Sequence, residues 1–231
     1  MDSGHALSRL TARELPGRLN LTRRERRRAE TRQRLLLAAL RLFRQRGFAA
    51  TTVEQITETA DLGKGTFFNY FPSKEHILGA LAEVQRGKIM GALKAASGGR
   101  VSVRDVLHQL YHALPKHPAQ SQRLARSLLR AILSNDQVRR LMAHNLEQGR
   151  ALLAQIFELG RQRNEIRRDC DPAEMARLFQ QSLFGTVLLW TIGPATPLRC
   201  WLDASFRVFW AGIRADMAPA NGKKRAAGRE A

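Results

Sequence analysis

A chain of 231 residues and 26.0 kDa has room for a small domain joined to a larger one. Hydrophobic residues make up 44% of it, enough for a packed core, which excludes global disorder. Against 20 Asp+Glu stand 39 Lys+Arg, and the formal charge of +19 calls for a polyanionic partner, nucleic acid or an anionic membrane surface.

In chain order, residues 1 to about 21 mix Gly, Ser, Arg and Pro16 without periodicity and read as a mobile tail. From Thr22 the sequence turns basic, and Arg24, Arg27 and Arg28 lead a run suited to phosphate or minor-groove contact. Residues 1–28 are therefore assigned as a flexible basic arm. Thr22 with Glu25 also forms a capping-box pair, so a helix can start there and run to Arg46. Leu35, Leu36, Ala39, Leu42 and Phe43 give that helix one apolar side, and Gly47 is its stop.

The stretch TTVEQITETADLGKGTFFNYFPSKE, Thr51 to Glu75, carries the strongest local signal. Thr52 precedes Gln55 by three and opens the apolar positions Val53, Ile56 and Ala60, a capped short helix. Asp61-Leu62-Gly63 breaks it. Lys64-Gly65-Thr66 opens a second helix, to about residue 71, which Pro72 closes. So short a helix is unstable alone and must be held by neighbours and presented to something. Phe67 and Phe71, four apart, belong to the core. The remaining face is chemically equipped for DNA. Lys64 stands at a helix N-terminus, where an anion is already favoured, Gly65 permits close approach, and the Thr66 hydroxyl can donate to phosphate. Asn69 can read adenine in bidentate fashion, and Tyr70 offers a ring to thymine methyls or a hydroxyl to phosphate. Thr52 and Lys74 are placed to grip the DNA backbone on the two flanks.

Beyond Ser73 no strand-like alternation occurs, and the fold class is all-α. One helix runs from Ser73 to about Ala95, and Ser102 with Asp105 caps the next. Another spans about 120–133, and Ser134 with Gln137 is expected to start a long one reaching Arg163. Asp171-Pro172-Ala173-Glu174 opens a helix to about Ile192, and Thr196 caps a last one to about Met217. These two helices carry more large apolar surface than one stripe needs. Phe179, Leu183, Trp190, Trp201 and Phe209 are assigned to a four-helix homodimer interface.

The run TRQRLLLAALRLFRQRGFAATTVEQITETADLGKGTFFNYFPSKEHIL resembles the N-terminal DNA-binding domain of TetR-type (tetracycline-repressor-like) transcriptional regulators. The likeness covers residues about 29–89, through Leu42-Phe43 before Gly47, Thr51-Thr52-Val53, Gly65-Thr66, Tyr70-Phe71 and Ser73-Lys74-Glu75. It implies a homodimer whose element 64–71 enters the major groove of double-stranded DNA. It also implies a helical C-terminal domain, 101–217, that dimerises and holds a small apolar effector; the basic residues Lys223, Lys224, Arg225 and Arg229 separately mark 218–231 as a disordered basic tail. Within that domain, the helices spanning 102–187 are expected to line the pocket. The chain departs from the family at Asp61 and Gly63, where Gly and Ser are more usual, and at Phe68, where a tyrosine often reaches phosphate.

His108 and His112 lie one helical turn apart, but zinc needs three or four ligands, and His117 across a proline loop is a poor third. No metal and no cofactor are expected. Cys170 and Cys200 read as ordinary thiols, and no catalytic constellation stands out, so the chain is not read as an enzyme. It has no signal-peptide core, and its longest apolar-rich run, Leu183 to Ile192, is too short for a bilayer. The expectation is a cytoplasmic, ligand-responsive repressor acting on a palindromic operator as a homodimer. The alternative is an effector-independent architectural DNA-binding protein, which would bind with steep salt dependence and little sequence preference.

Overall fold

The computed structural model describes residues 22–116, 119, 121–193 and 196–215, and all its regular structure is helical apart from one isolated bridge. Helix α1 (Arg23–Arg46) starts at the expected capping box. The Thr22 side chain accepts from the Glu25 N–H and the Glu25 carboxylate accepts from the Thr22 N–H. Residues 23–28 of the arm are thus the first turns of a helix, and no structural break falls at residue 28. The rest of the arm, and the tail from 216 on, lie outside the described residues.

Gly47 ends α1 at φ 87°, a conformation that costs glycine least. Helix α2 (Val53–Thr59) has the Thr52/Gln55 capping box, and α3 (Lys64–Phe68) follows after a tight turn. Asp61 takes that turn at φ 51°, a region Asp tolerates better than most non-glycine residues. Helix α3 stops at Phe68, three residues short of the expected end. Only Phe67 within it is fully buried, and Phe71 follows in the ensuing turn.

Helix α4 (His76–Ser97) begins three residues later than expected, because the Ser73 hydroxyl bonds the Glu75 carboxylate rather than capping a helix. The body continues with α5 (Val103–Ala113), capped by Ser102, a short 3-10 turn (Leu114–Lys116) and α6 (Gln122–Ser134). Helix α7 (Asp136–Gln162) takes Asn135 as its cap, not Ser134: the Asn135 side chain accepts from the Val138 N–H at 3.0 Å. The Ser134 hydroxyl instead donates back to the Arg130 carbonyl. Helix α8 (Pro172–Ile192) starts at Asp171 as expected. Helix α9 (Leu198–Ile213) follows Pro197 with no side-chain cap, and its described end is four residues before Met217.

Two cores are built from these helices. One joins α1, α2, α3 and the start of α4 around Phe43, Ile56, Phe67, Phe71 and Ile77. Leu124, Leu128 and Ala131 of α6 belong to it as well, and the Arg123 guanidinium donates to the Gln45 carbonyl at 2.5 Å. The three-helix head is therefore seated on the body and is not a bead on a linker. The second core gathers α5, α7, α8, α9 and the far half of α4. In its middle, hydroxyls of Tyr111, Ser182, Ser205 and Thr186 bond one another at 2.8–2.9 Å across α5, α8 and α9, which satisfies polar groups that would be costly to bury alone.

Candidate nucleic-acid interface

Phe67 fixes how α3 lies, because its fully buried ring is held edge-on by Phe68 and tilted against Phe71. With that side inward, Lys64, Gly65, Phe68 and Asn69 are exposed, and Thr66 and Tyr70 are half-buried. Lys64 does not stand alone: its ammonium pairs with the Glu54 carboxylate on α2. That hydrogen bond is the main cause holding the Glu54 pKa down, at about 2. Gly63 begins α3 without a side-chain cap, as expected from the missing serine.

The arm reaches the same surface. The Arg28 guanidinium lies 5.9 Å from the centre of the Tyr70 ring, and Arg32 covers Phe71 while pairing with Glu83 at 2.8 Å. Arg24 and Arg27 are exposed on the same first turns of α1. Arg34, further along the basic run, has an internal partner: it donates to the Ala60 carbonyl at 2.6 Å and thereby ties down the C-terminus of α2. Thr52 is exposed at the start of α2, its oxygen accepting from the Gln55 N–H.

Lys74 has turned away from the expected flank. Its ammonium donates to the carbonyls of Phe48 and Thr51, each at 2.9 Å, and lies 4.4 Å from the Phe48 ring centre. Burial lowers its pKa, with Glu75 pulling the other way. In this structure Lys74 holds the α1–α2 loop, and so fixes where Thr52 sits. Phe68 is the surface residue that the sequence reading left unassigned. It is 49% exposed, so that its ring meets Phe67 on one side and leaves a large apolar surface open to solvent on the other.

The assigned dimer residues need correction. Phe179, Leu183 and Trp190 are buried in the chain's own core, where Phe179 packs against Tyr111, Phe157 and Phe209. Phe209 is half-buried in the same cluster, and of the five only Trp201 lines an outward groove between α8 and α9. The apolar surface left outside is another set: Phe184, Leu188, Leu189 and Ile192 on α8, and Val208 on α9, with Ile192 74% and Val208 75% exposed. Helix α8 is apolar on both sides, so helical spacing cannot tell which side faces inward.

A cavity of about 180 Å³ lies between α4, α6, α7 and α8, with walls such as Leu81, Ile89, Leu128, Leu146 and Val187. Much of one wall, residues 78–89, comes from α4, outside the 102–187 span expected to form the pocket. Among these apolar walls sits Gln85, whose amide nitrogen and oxygen are buried with no hydrogen-bond partner among the described residues. Arg86 is beside it and donates to Gln148. Elsewhere in the body, Asp203 of α9 has come to the His108/His112 pair, a carboxylate that nothing in the local spacing announced.

A short helix displayed by a three-helix head on a larger helical body defines the class: a helix-turn-helix protein of the regulator type. Comparison with known proteins gives the family. The family model "Bacterial regulatory proteins, tetR family" matches residues 35–81. The uncharacterized HTH-type transcriptional regulator YerO of Bacillus subtilis is 37% identical over 65 residues, 28% of this chain and 22% of that protein. The HTH-type transcriptional repressor KstR of Rhodococcus jostii is 33% identical over 119 residues, 49% of this chain and 56% of that protein. Among solved structures, Thermus thermophilus FadR, a TetR-family transcriptional repressor in complex with lauroyl-CoA, superposes with a TM-score of 0.57 at 28% identity. That superposition covers 83% of this chain and 99% of that one. Residues 35–81, the three-helix head, are thus those of the tetR family of bacterial regulatory proteins. The chain spans between about a fifth and just over half of the length of the two curated relatives named here.

Proposed function

We propose that this protein is a cytoplasmic transcriptional repressor that binds a palindromic operator as a homodimer and leaves it when an apolar effector enters the body. The observation that carries the reading is the exposed face of α3, with Lys64, Gly65, Thr66, Asn69 and Tyr70 presented beside the arginines of α1 while Phe67 anchors the opposite side. In the major groove, Asn69 and Tyr70 read bases, Lys64 exchanges Glu54 for a phosphate, and Thr52 contacts the backbone on the other flank. Phe68 adds an apolar contact suited to a thymine methyl. Lys74 positions the Thr52 loop, and Arg24, Arg27 and Arg28 add affinity more than specificity.

Two copies associate through the outward side of α8 and α9, where Phe184, Leu188, Leu189, Ile192, Val208 and Trp201 offer apolar surface. The effector is an amphiphile with an apolar chain. Its chain suits the walls of the cavity, and a head group carrying a carbonyl, acid or amide suits the Gln85 amide and Arg86. The relative solved with lauroyl-CoA supports that class. The cavity wall and the head share α4 and α6, since Leu81 and Leu128 border the cavity and also pack in the head core. A ligand that moves these helices changes the distance between the two heads, and it acts only through its differential affinity for the two arrangements.

The test is a gel-shift titration on the DNA upstream of the protein's own gene. Lys64→Ala and Tyr70→Ala are each expected to cost about 1–3 kcal/mol of specific binding. Unchanged binding in both variants removes the assignment of α3. Binding that competitor DNA of any sequence abolishes equally well would favour the architectural alternative.

A further inference from the structure

We propose that His108, His112 and Asp203 form a binding site for a divalent first-row transition metal, of the zinc or nickel class, that joins α5 to α9. The two histidines are one turn apart on α5, which puts their rings on one side of the helix with centres 4.8 Å apart. Both direct Nε2 at the same carboxylate oxygen of Asp203: His112 at 2.8 Å and His108 at 3.4 Å. The three ligand atoms lie within 4.8 Å of one another. A zinc ion about 2.0–2.2 Å from each donor needs them roughly 3.0–3.5 Å apart, so small rotations of half-exposed side chains complete the site.

The surroundings fit. Asp203 accepts on Oδ1, while its other oxygen, Oδ2, faces Arg199 at 3.8 Å, which orients the carboxylate. The Phe206 ring packs 5.0 Å from His108 and limits its rotation. All three side chains are partly exposed, so an ion can enter from solvent. Two imidazoles with a single carboxylate favour a transition metal over magnesium or calcium, which prefer all-oxygen sets. Three protein ligands leave room for water or an outside ligand to finish the coordination. The groups are remote in sequence from α3 and do not line the apolar cavity, so the site stands independently of the proposed effector.

The test uses the full-length, untagged, metal-stripped protein titrated with Zn2+ by calorimetry and with Co2+ by visible absorption. One equivalent is expected to bind, with a rise in melting temperature and a Co2+ spectrum of low-symmetry coordination. Asp203→Asn is expected to weaken Zn2+ binding at least tenfold, and the His108→Gln/His112→Gln pair to abolish it. Cys200→Ser should leave it unchanged. Circular dichroism and metal-free gel shifts, both expected to match wild type, show that the variants fold. Equal Zn2+ affinity in wild type and the double-histidine variant, or no Co2+ spectrum in the wild type, overturns the proposal.

Discussion

The head and the body use the same helix-packing physics, yet they differ in how much of each helix is committed. In the head, α3 has one buried anchor, Phe67, and apart from Phe68 its other side chains are polar or absent, so its spacing separates most of the scaffold from the surface. In the body, α8 buries Phe179, Leu183 and Trp190 on one side while Leu188, Leu189 and Ile192 stay outside on the other. A side chain that will meet DNA is distinguishable from core by chemistry. One that will meet a second copy of the chain is not, because both are apolar.

That contrast can be broken by truncation. Phe67→Ala and Phe179→Ala each remove a fully buried ring, and each is expected to cost about 3–5 kcal/mol in chemical denaturation. Phe67→Ala should abolish DNA binding in gel shifts, whereas Phe179→Ala should lower stability with the proposed dimer face left intact. Leu189→Asp with Val208→Asp tests the reverse. These residues are exposed within the chain, so the fold should survive while sedimentation shows a monomer, since an unpaired charge cannot be buried at an apolar interface.

Within the head, Lys74→Met removes the donor to the Phe48 and Thr51 carbonyls. A loss of about 1–3 kcal/mol is expected, with weaker DNA binding that persists at saturating stability, because the Thr52 loop is released. A smaller effect comes from Glu54→Gln. Freeing Lys64 should raise operator affinity a few-fold at low salt and steepen its salt dependence. The sign with pH follows from the Glu54 pKa, lowered to about 2. The ion pair is present above the ordinary carboxylate range and is lost only as pH falls toward about 2, so the gain should be the same at pH 6 and pH 8. Smallest of all, Gly63→Ser should add a few tenths of a kcal/mol, read as a slight rise in melting temperature. Space for the new Cβ is open, and the serine would supply the cap that α3 lacks.

By itself the sequence determined the all-helical class, most helix starts and the helix-turn-helix stretch, since these rest on local rules. A capping box at Thr22 or Thr52, a proline after Asp171 and the core pair Phe67 and Phe71, four apart, act within a few residues of chain. Where local signals competed, as between Ser134 and Asn135, adjacent residues of similar capping power left the start ambiguous by one position. Only the tertiary structure decided which side of α8 is core, that Lys74 holds a loop, and that α4 forms a wall of the cavity. It alone brought Asp203 to His108 and His112 across some ninety residues of chain. Each of those outcomes depends on what a side chain meets from a distant element, and helical periodicity carries no information about the neighbour.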